Sequence, residues 1–258
     1  MTDGVRLSLS TMRAVFPSAP GAIIDAFVER QGVLSAVGLN RTRQRLAYCF
    51  ANLHAETGGF TVKNLTENVN YTAARMAAVW PNRFASAAAV QARYGAAPGW
   101  QLKAFDDIYG NRMGNRPGTS DGSRYIGRGG PQITGRDGYA EIGKRIGVDL
   151  IGDPELASSP ALQPCIAAAF WDWKGMSRFA DAGDFVGCVR AWNGGVNGLA
   201  ERQAQRARIV PILQKTEWGE VAAPPPTLPP DQVPVSSSSQ PSAWAAFFLA
   251  IAKLFGRA

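Results

Sequence analysis

The chain has 258 residues, 46% of them apolar, enough for a full hydrophobic core, and a formal net charge of +7. Its basic residues are mostly arginines interleaved with acids. With no Lys/Arg run, a nucleic-acid-binding arm is not expected, while the charge suits an acidic polymer or an anionic surface. Three widely spaced cysteines (Cys49, Cys165, Cys188), no CxxC pair and a single histidine, His54, argue against a disulfide framework, a zinc site and a histidine-rich metal centre.

The opening MTDGVRLSLSTMRAVF lacks the basic-then-apolar pattern of a secretory signal, and the cysteines read as free core residues; both fit synthesis in the cytoplasm. A first helix is predicted at TMRAVF with Ser10 as its cap, and a second over 22–28. A third covers 41–54, with Leu46, Cys49, Phe50 and Leu53 on one face. It closes on Thr57-Gly58-Gly59, where glycine permits the left-handed turn that ends a helix, so Glu56 falls at the last turn of a buried helix. Thr72 begins a helix that Pro81 stops, and 84–108 is helical with a break at Pro98-Gly99. Residues 109–135, rich in Gly, Asn and Arg, hold two short extended pieces, SRYIG and PQITG. Helices resume at 137–146, 159–175, 182–192 and 199–215.

The expected class is therefore α+β, predominantly α-helical, with a small β-hairpin region, in one catalytic-size domain over residues 1–218. Residues 219–242 read as a Pro/Ser-rich linker. Residues 243–258 read as a basic amphipathic helix, too short to span a bilayer but suited to contact with an anionic membrane surface. A monomer is expected.

Three segments are not explained by apolar periodicity: HAETGGF at 54–60, TENVNY at 66–71 and YIGRGGPQITG at 125–135. Cleavage of a glycosidic bond needs two carboxyl groups, one to protonate the leaving oxygen and one to activate water or attack. Glu56, with an apolar helix behind it and glycines in front, suits the acid, whose pKa must be raised. Glu67, in a polar Asn-rich stretch, suits the group that stays ionised. Gln132, Thr134 and Asn193 supply amide and hydroxyl groups for sugar oxygens, and the glycines at 127, 129 and 130 admit a bulky substrate close to the backbone. Tyr125 and Trp80, near loops, are the stacking candidates, whereas Trp171, Trp173 and Trp192 at helical spacings read as core. Pattern alone leaves Glu56 open between a catalytic carboxyl and a solvated helix-end carboxylate. His54 is open between a structural role and support for Glu56.

In this order, HAETGGF, TENVNYTA, VWPNRF, YGNRMGN, DGSRYIGRGGPQITGRDGY and AWNGGVNGLAERQ resemble the family 19 glycoside hydrolases over about residues 10–215, most of all their phage-endolysin and bacterial branch. The resemblance implies a lysozyme-like fold and an inverting mechanism without metal or cofactor. It makes Glu56 the general acid, Glu67 the base and Thr134 the residue that helps hold the attacking water. It makes Gln132 and Asn193 substrate contacts and Arg202 an arginine that organises carboxylates behind the site; Arg202 and the stacking candidate Tyr125 are counted with them among the substrate-binding residues. Gly138 stands where plant chitinases carry a sugar-binding Asn, which favours peptidoglycan over chitin as substrate. The expectation is an endolysin, made in the cytoplasm and released to the wall through a membrane pore. The alternatives are a chitinase of the same fold and a non-catalytic envelope-binding protein.

Overall fold

The computed structural model describes residues 2–62 and 65–223. Strand β1 (Thr2–Val5) leads into helices α1 (Leu9–Val15), α2 (Gly21–Glu29), α3 (Gly32–Ala36) and α4 (Arg43–Thr57). Helices α5 (Ala73–Val79), α6 (Ala87–Tyr94), α7 (Trp100–Tyr109) and the single turn α8 (Asp121–Arg124) follow. The chain then forms α9 (Gly135–Ile146), α10 (Gln163–Trp173), α11 (Ser177–Asp181), α12 (Phe185–Asn193) and α13 (Leu199–Gln214), and ends its described part in β2 (Trp218–Val221).

Helix α4 is the axis of the molecule, and its limits follow from its end residues. The Thr42 hydroxyl accepts from the Arg45 amide at 3.1 Å, satisfying a donor that the first turn leaves unpaired. Gly58, at φ 58°, returns its amide to the His54 carbonyl and turns the chain out of the helix. Between these caps Leu46 to Leu53 are fully buried without interruption, so α4 is covered on every side rather than on one stripe. It packs most extensively against α13.

Two apolar cores result. The larger is built on α1, α2, α4, α10, α12 and α13; the smaller gathers Met76, Val79, Trp80, Phe84, Val90, Phe105 and Ile108 from the region of α5–α7. The segment 125–134, between α8 and α9, runs along the boundary between the two, and Ile126 belongs to the smaller core while Ile133 belongs to the larger.

The mostly helical class with one small antiparallel sheet holds, but the sheet is elsewhere than expected. SRYIG and PQITG do not form a hairpin; they make only isolated bridges, Thr66 with Arg128 and Arg128 with Ile133. The sheet is β1 paired with β2, Thr2 opposite Val221 and Val5 opposite Trp218. Its cause is burial at the end of the chain's described part: Val5 and Val221 are covered, and the two extended segments satisfy backbone groups in each other. The expected linker start at 219 therefore falls inside a strand. The rest of that linker from 224 and the expected tail helix over 243–258 lie outside the described residues. The first cap is Ser8, not Ser10, and α3, α8 and α11 are short helices the apolar pattern did not announce.

Candidate active site

A cleft of about 290 Å³ opens between the two cores. One wall comes from the larger core: Glu56 of α4, Phe170 and Trp173 of α10, Lys174, and Ala191 to Gly194 at the end of α12. Tyr109 and Met113 form the opposite wall. Glu67, Gly127, Pro131 to Thr134 and Gly138 line the cleft between them.

Glu56 is only 1% exposed. Its Oε1 accepts from Arg202 Nη2 at 2.5 Å, and Arg202 Nη1 donates to Asn52 Oδ1 at 2.8 Å. Asn52 and Glu56 stand one turn apart on α4, so one arginine of α13 ties both. Glu56 Oε2 has no hydrogen-bond partner among the described residues. Burial raises the Glu56 pKa above the ordinary carboxyl value, and the Arg202 guanidinium opposes that rise without cancelling it.

Glu67 is held by a backbone exchange. Its amide donates to the Gly127 carbonyl at 2.8 Å, and the Gly127 amide donates to Glu67 Oε2 at 2.9 Å. Oε1 has no partner among the described residues. The expectation that Glu67 sits in a polar loop and stays ionised is corrected here. The residue is 5% exposed because its segment folds beneath 125–134, and burial pushes its pKa up to about 7. The Gly127 amide and the charge of Arg128 resist the shift.

Gly127 shows how tightly the site is assembled. A Cβ there would lie 2.7 Å from Gln132 Oε1, 3.3 Å from Glu67 Oε2 and 3.4 Å from Thr134 Oγ1, so three polar side chains converge on the space that only glycine leaves. Gln132 holds a left-handed backbone at φ 54° and donates from Nε2 to the Gly129 carbonyl at 3.0 Å. The Thr134 hydroxyl donates to the Gln132 carbonyl at 3.0 Å, leaving its lone pairs to accept. Asn193 Nδ2 donates to the Asn197 carbonyl at 3.0 Å, and its residue ends α12 at the cleft.

Of the site residues expected from sequence, Glu56, Glu67, Gln132, Thr134 and Asn193 meet in this cleft. Tyr125 does not line it: the ring is 2% exposed, packs on Tyr139 at 5.2 Å and gives its hydroxyl to the Ile151 carbonyl. Its loop-like neighbours fold over it, which local sequence does not reveal. Arg202 is 2% exposed behind Glu56, so it organises a carboxyl rather than contacting substrate. Trp80 is buried in the smaller core, whereas Trp173 and Trp192, read as core, form part of the cleft wall. His54 stacks on Phe16 at 6.0 Å, with its Nε2 against Gly59, and supports the α4 end from outside the cleft.

Sequence reasoning missed Phe170, Trp173, Lys174, Tyr109 and Met113 as cleft residues. It also missed Gln163, whose Oε1 accepts from the Gly130 amide at 2.8 Å and whose Nε2 reaches the Ser159 carbonyl, pinning the glycine loop to α10. A polar residue in an otherwise apolar helix was the signal available for Gln163. Among the described residues no group of three or more His, Cys, Asp or Glu is placed to hold a metal ion. The chemistry on hand is that of two carboxyl groups, each with one oxygen fastened and one unsatisfied.

Comparison with known proteins bears on family and fold. The family description "chitinase class I", of glycoside hydrolase family 19, matches residues 103–193. A glycosyl hydrolase family 19 domain-containing protein of Haemophilus influenzae is 32% identical over 200 residues, which span 76% of this chain and 92% of that protein. Among solved structures, chitinase C from Streptomyces griseus superposes with a TM-score of 0.53 at 18% identity, over 83% of this chain and 78% of that one. A class IV chitinase from Zea mays gives 0.52 at 20% identity, over 81% and 92%. These two likenesses show the fold.

Proposed function

The chain belongs to glycoside hydrolase family 19, and from that premise we propose that it cleaves β-1,4 bonds between the amino sugars of peptidoglycan. The chain is a glycoside hydrolase of lysozyme-like fold, and its family acts on amino-sugar polymers. The observation that carries the reaction is the pair of buried carboxyl groups facing one cleft, each with one unpartnered oxygen.

In the mechanism proposed, the protonated Glu56 gives its proton to the glycosidic oxygen as the bond from that oxygen to the anomeric carbon breaks. Water attacks the same carbon from the opposite face and passes a proton to the Glu67 carboxylate, so the new hydroxyl has inverted configuration. Thr134 Oγ1, beside Glu67 around Gly127, accepts a hydrogen bond from that water. Arg202 and the Gly127 amide keep both carboxyl groups oriented between turnovers.

Peptidoglycan is favoured by Gly138. It lines the cleft, and a Cβ built there would meet nothing within 4 Å, so the wall leaves room for a muramyl substituent. The second reading is a chitinase, the activity carried in the names of the structural relatives above. As an endolysin, the protein would act on the wall after release through a membrane pore. Purified sacculi cleared by wild type and not by Glu56→Gln, with hydrated sugar ends of inverted anomer among the first fragments, would establish the reading. Cleavage of chitin oligomers with no clearing of sacculi would select the chitinase.

A further inference from the structure

One stretch of the cleft wall is built differently from the rest. Phe170 lies 5.0 Å from Trp192 and 5.9 Å from Trp173, centroid to centroid, forming an aromatic face. The Lys174 ammonium sits on that face, 3.9 Å from the Trp173 centroid and 5.7 Å from that of Phe170. Rings hold a cation in place, yet they supply no counter-charge.

Lys174 has no ion-pair partner among the described residues, and desolvation alone acts on it, lowering its pKa from the ordinary lysine value. Nor does it serve the catalytic pair: the charges that act on Glu56 and Glu67 are those of Arg202 and Arg128. Beside it, Trp192 is 6% exposed, lines the same cleft and leaves its indole N–H without an acceptor among the described residues. A half-desolvated cation without a counter-charge, set on an apolar wall of the cleft, matches a carboxylate. A neutral polymer of N-acetylated sugars offers no such group.

We propose that Lys174, set on the Phe170–Trp173–Trp192 wall, is a specificity-determining residue that binds a carboxylate of the substrate and so selects acidic peptidoglycan over neutral chitin. The inference rests on the peptidoglycan reading above. Two carboxylates share this chemistry: those of the stem peptide, and the lactyl carboxylate that amidase treatment frees when it strips the peptides.

The test compares full-length wild type, Lys174→Met and Lys174→Arg on four substrates: intact sacculi, amidase-stripped sacculi, sacculi whose carboxylates have been converted to neutral amides, and a chitin hexamer. Lys174→Met should raise KM for sacculi about five-fold more than for the hexamer, with KM moving more than kcat. Lys174→Arg should recover most of the loss. Amidated sacculi should bring wild type down to the Lys174→Met level, and added salt should do so in part. A loss confined to intact sacculi assigns the peptide; a loss that appears only on stripped sacculi assigns the lactyl carboxylate; a loss on both shows that the site takes either. Equal KM changes on sacculi and hexamer, or none on either, would overturn the inference while leaving the peptidoglycan reading intact. Wild type that clears no sacculi would overturn both.

Discussion

Glu67 is the residue whose environment departs furthest from what its neighbours in sequence promise. A carboxyl with a pKa of about 7 is half protonated at neutral pH, and as the base it must first lose that proton. The kcat/KM profile should therefore rise with pH through an apparent pKa of about 7, and a fall through the same value would reverse the roles of Glu56 and Glu67. The same shift has a stability consequence. Because the folded pKa lies above the unfolded value of 4.5, the group's stabilising effect is full below pH 4.5 and is lost as pH rises through about 7. At full ionisation the loss is about 3 kcal/mol. Glu67→Gln, uncharged at every pH, should melt higher than wild type at pH 8 and lose that advantage near pH 4; thermal melts across this range check it. For Glu56, replacement by Gln should lower kcat by about 10²–10⁴, as expected for removal of a general acid, with circular dichroism unchanged.

At the scale of elements, the buried contact between α4 and α13 carries the fully enclosed Arg202–Glu56 pair. Breaking it from one side leaves a carboxyl buried without its counter-charge, so Arg202→Met should cost about 3–5 kcal/mol in urea unfolding. The double variant Glu56→Gln/Arg202→Met should regain much of that stability while remaining inactive, which separates the structural from the chemical part of the pair. The loop between α8 and α9 makes a different demand. Gly127→Ala must push Gln132 or Glu67 aside and should lower kcat at least about ten-fold with little change in fold, since the reacting groups tolerate only small misplacement. Both elements show why local reading went only so far. The caps Thr42 and Gly58 are written in the sequence around Glu56, and so α4 was foreseen nearly to its ends. The segment at 125–135 has the composition of a hairpin, yet its backbone pairs with Leu65 and Glu67 as well as with itself, and no local pattern reports a partner sixty residues away.

For the whole molecule, the cleft exists because two cores meet without merging, and the 125–134 segment contributes to both. The β1–β2 pair fastens the first residues to the end of α13, where Arg43 also bonds the Leu213 and Thr216 carbonyls. Burial of Val221 and pairing of β1 are together worth about 2 kcal/mol. A chain stopped after residue 217 should accordingly melt about 5 °C below one stopped after 223. Position 219, where composition placed the start of the linker, thus lies inside β2.

The order of motifs, the helix that presents Glu56, the free and buried Cys49 and Cys188, and the mostly helical class were determined by the sequence itself. They depend on residue spacing, end caps and the summed pull of apolar side chains, all of which are local or additive. The tertiary structure alone decided which aromatic residues face the cleft, that Arg202 stands behind Glu56, that Glu67 is buried, and that Lys174 lies in the wall without an ion-pair partner among the described residues. Burial and charge pairing are properties of distant segments brought together. A side chain's solvent exposure, and with it the proton affinity of a carboxyl group, is set by what packs over it and not by the residues on either side.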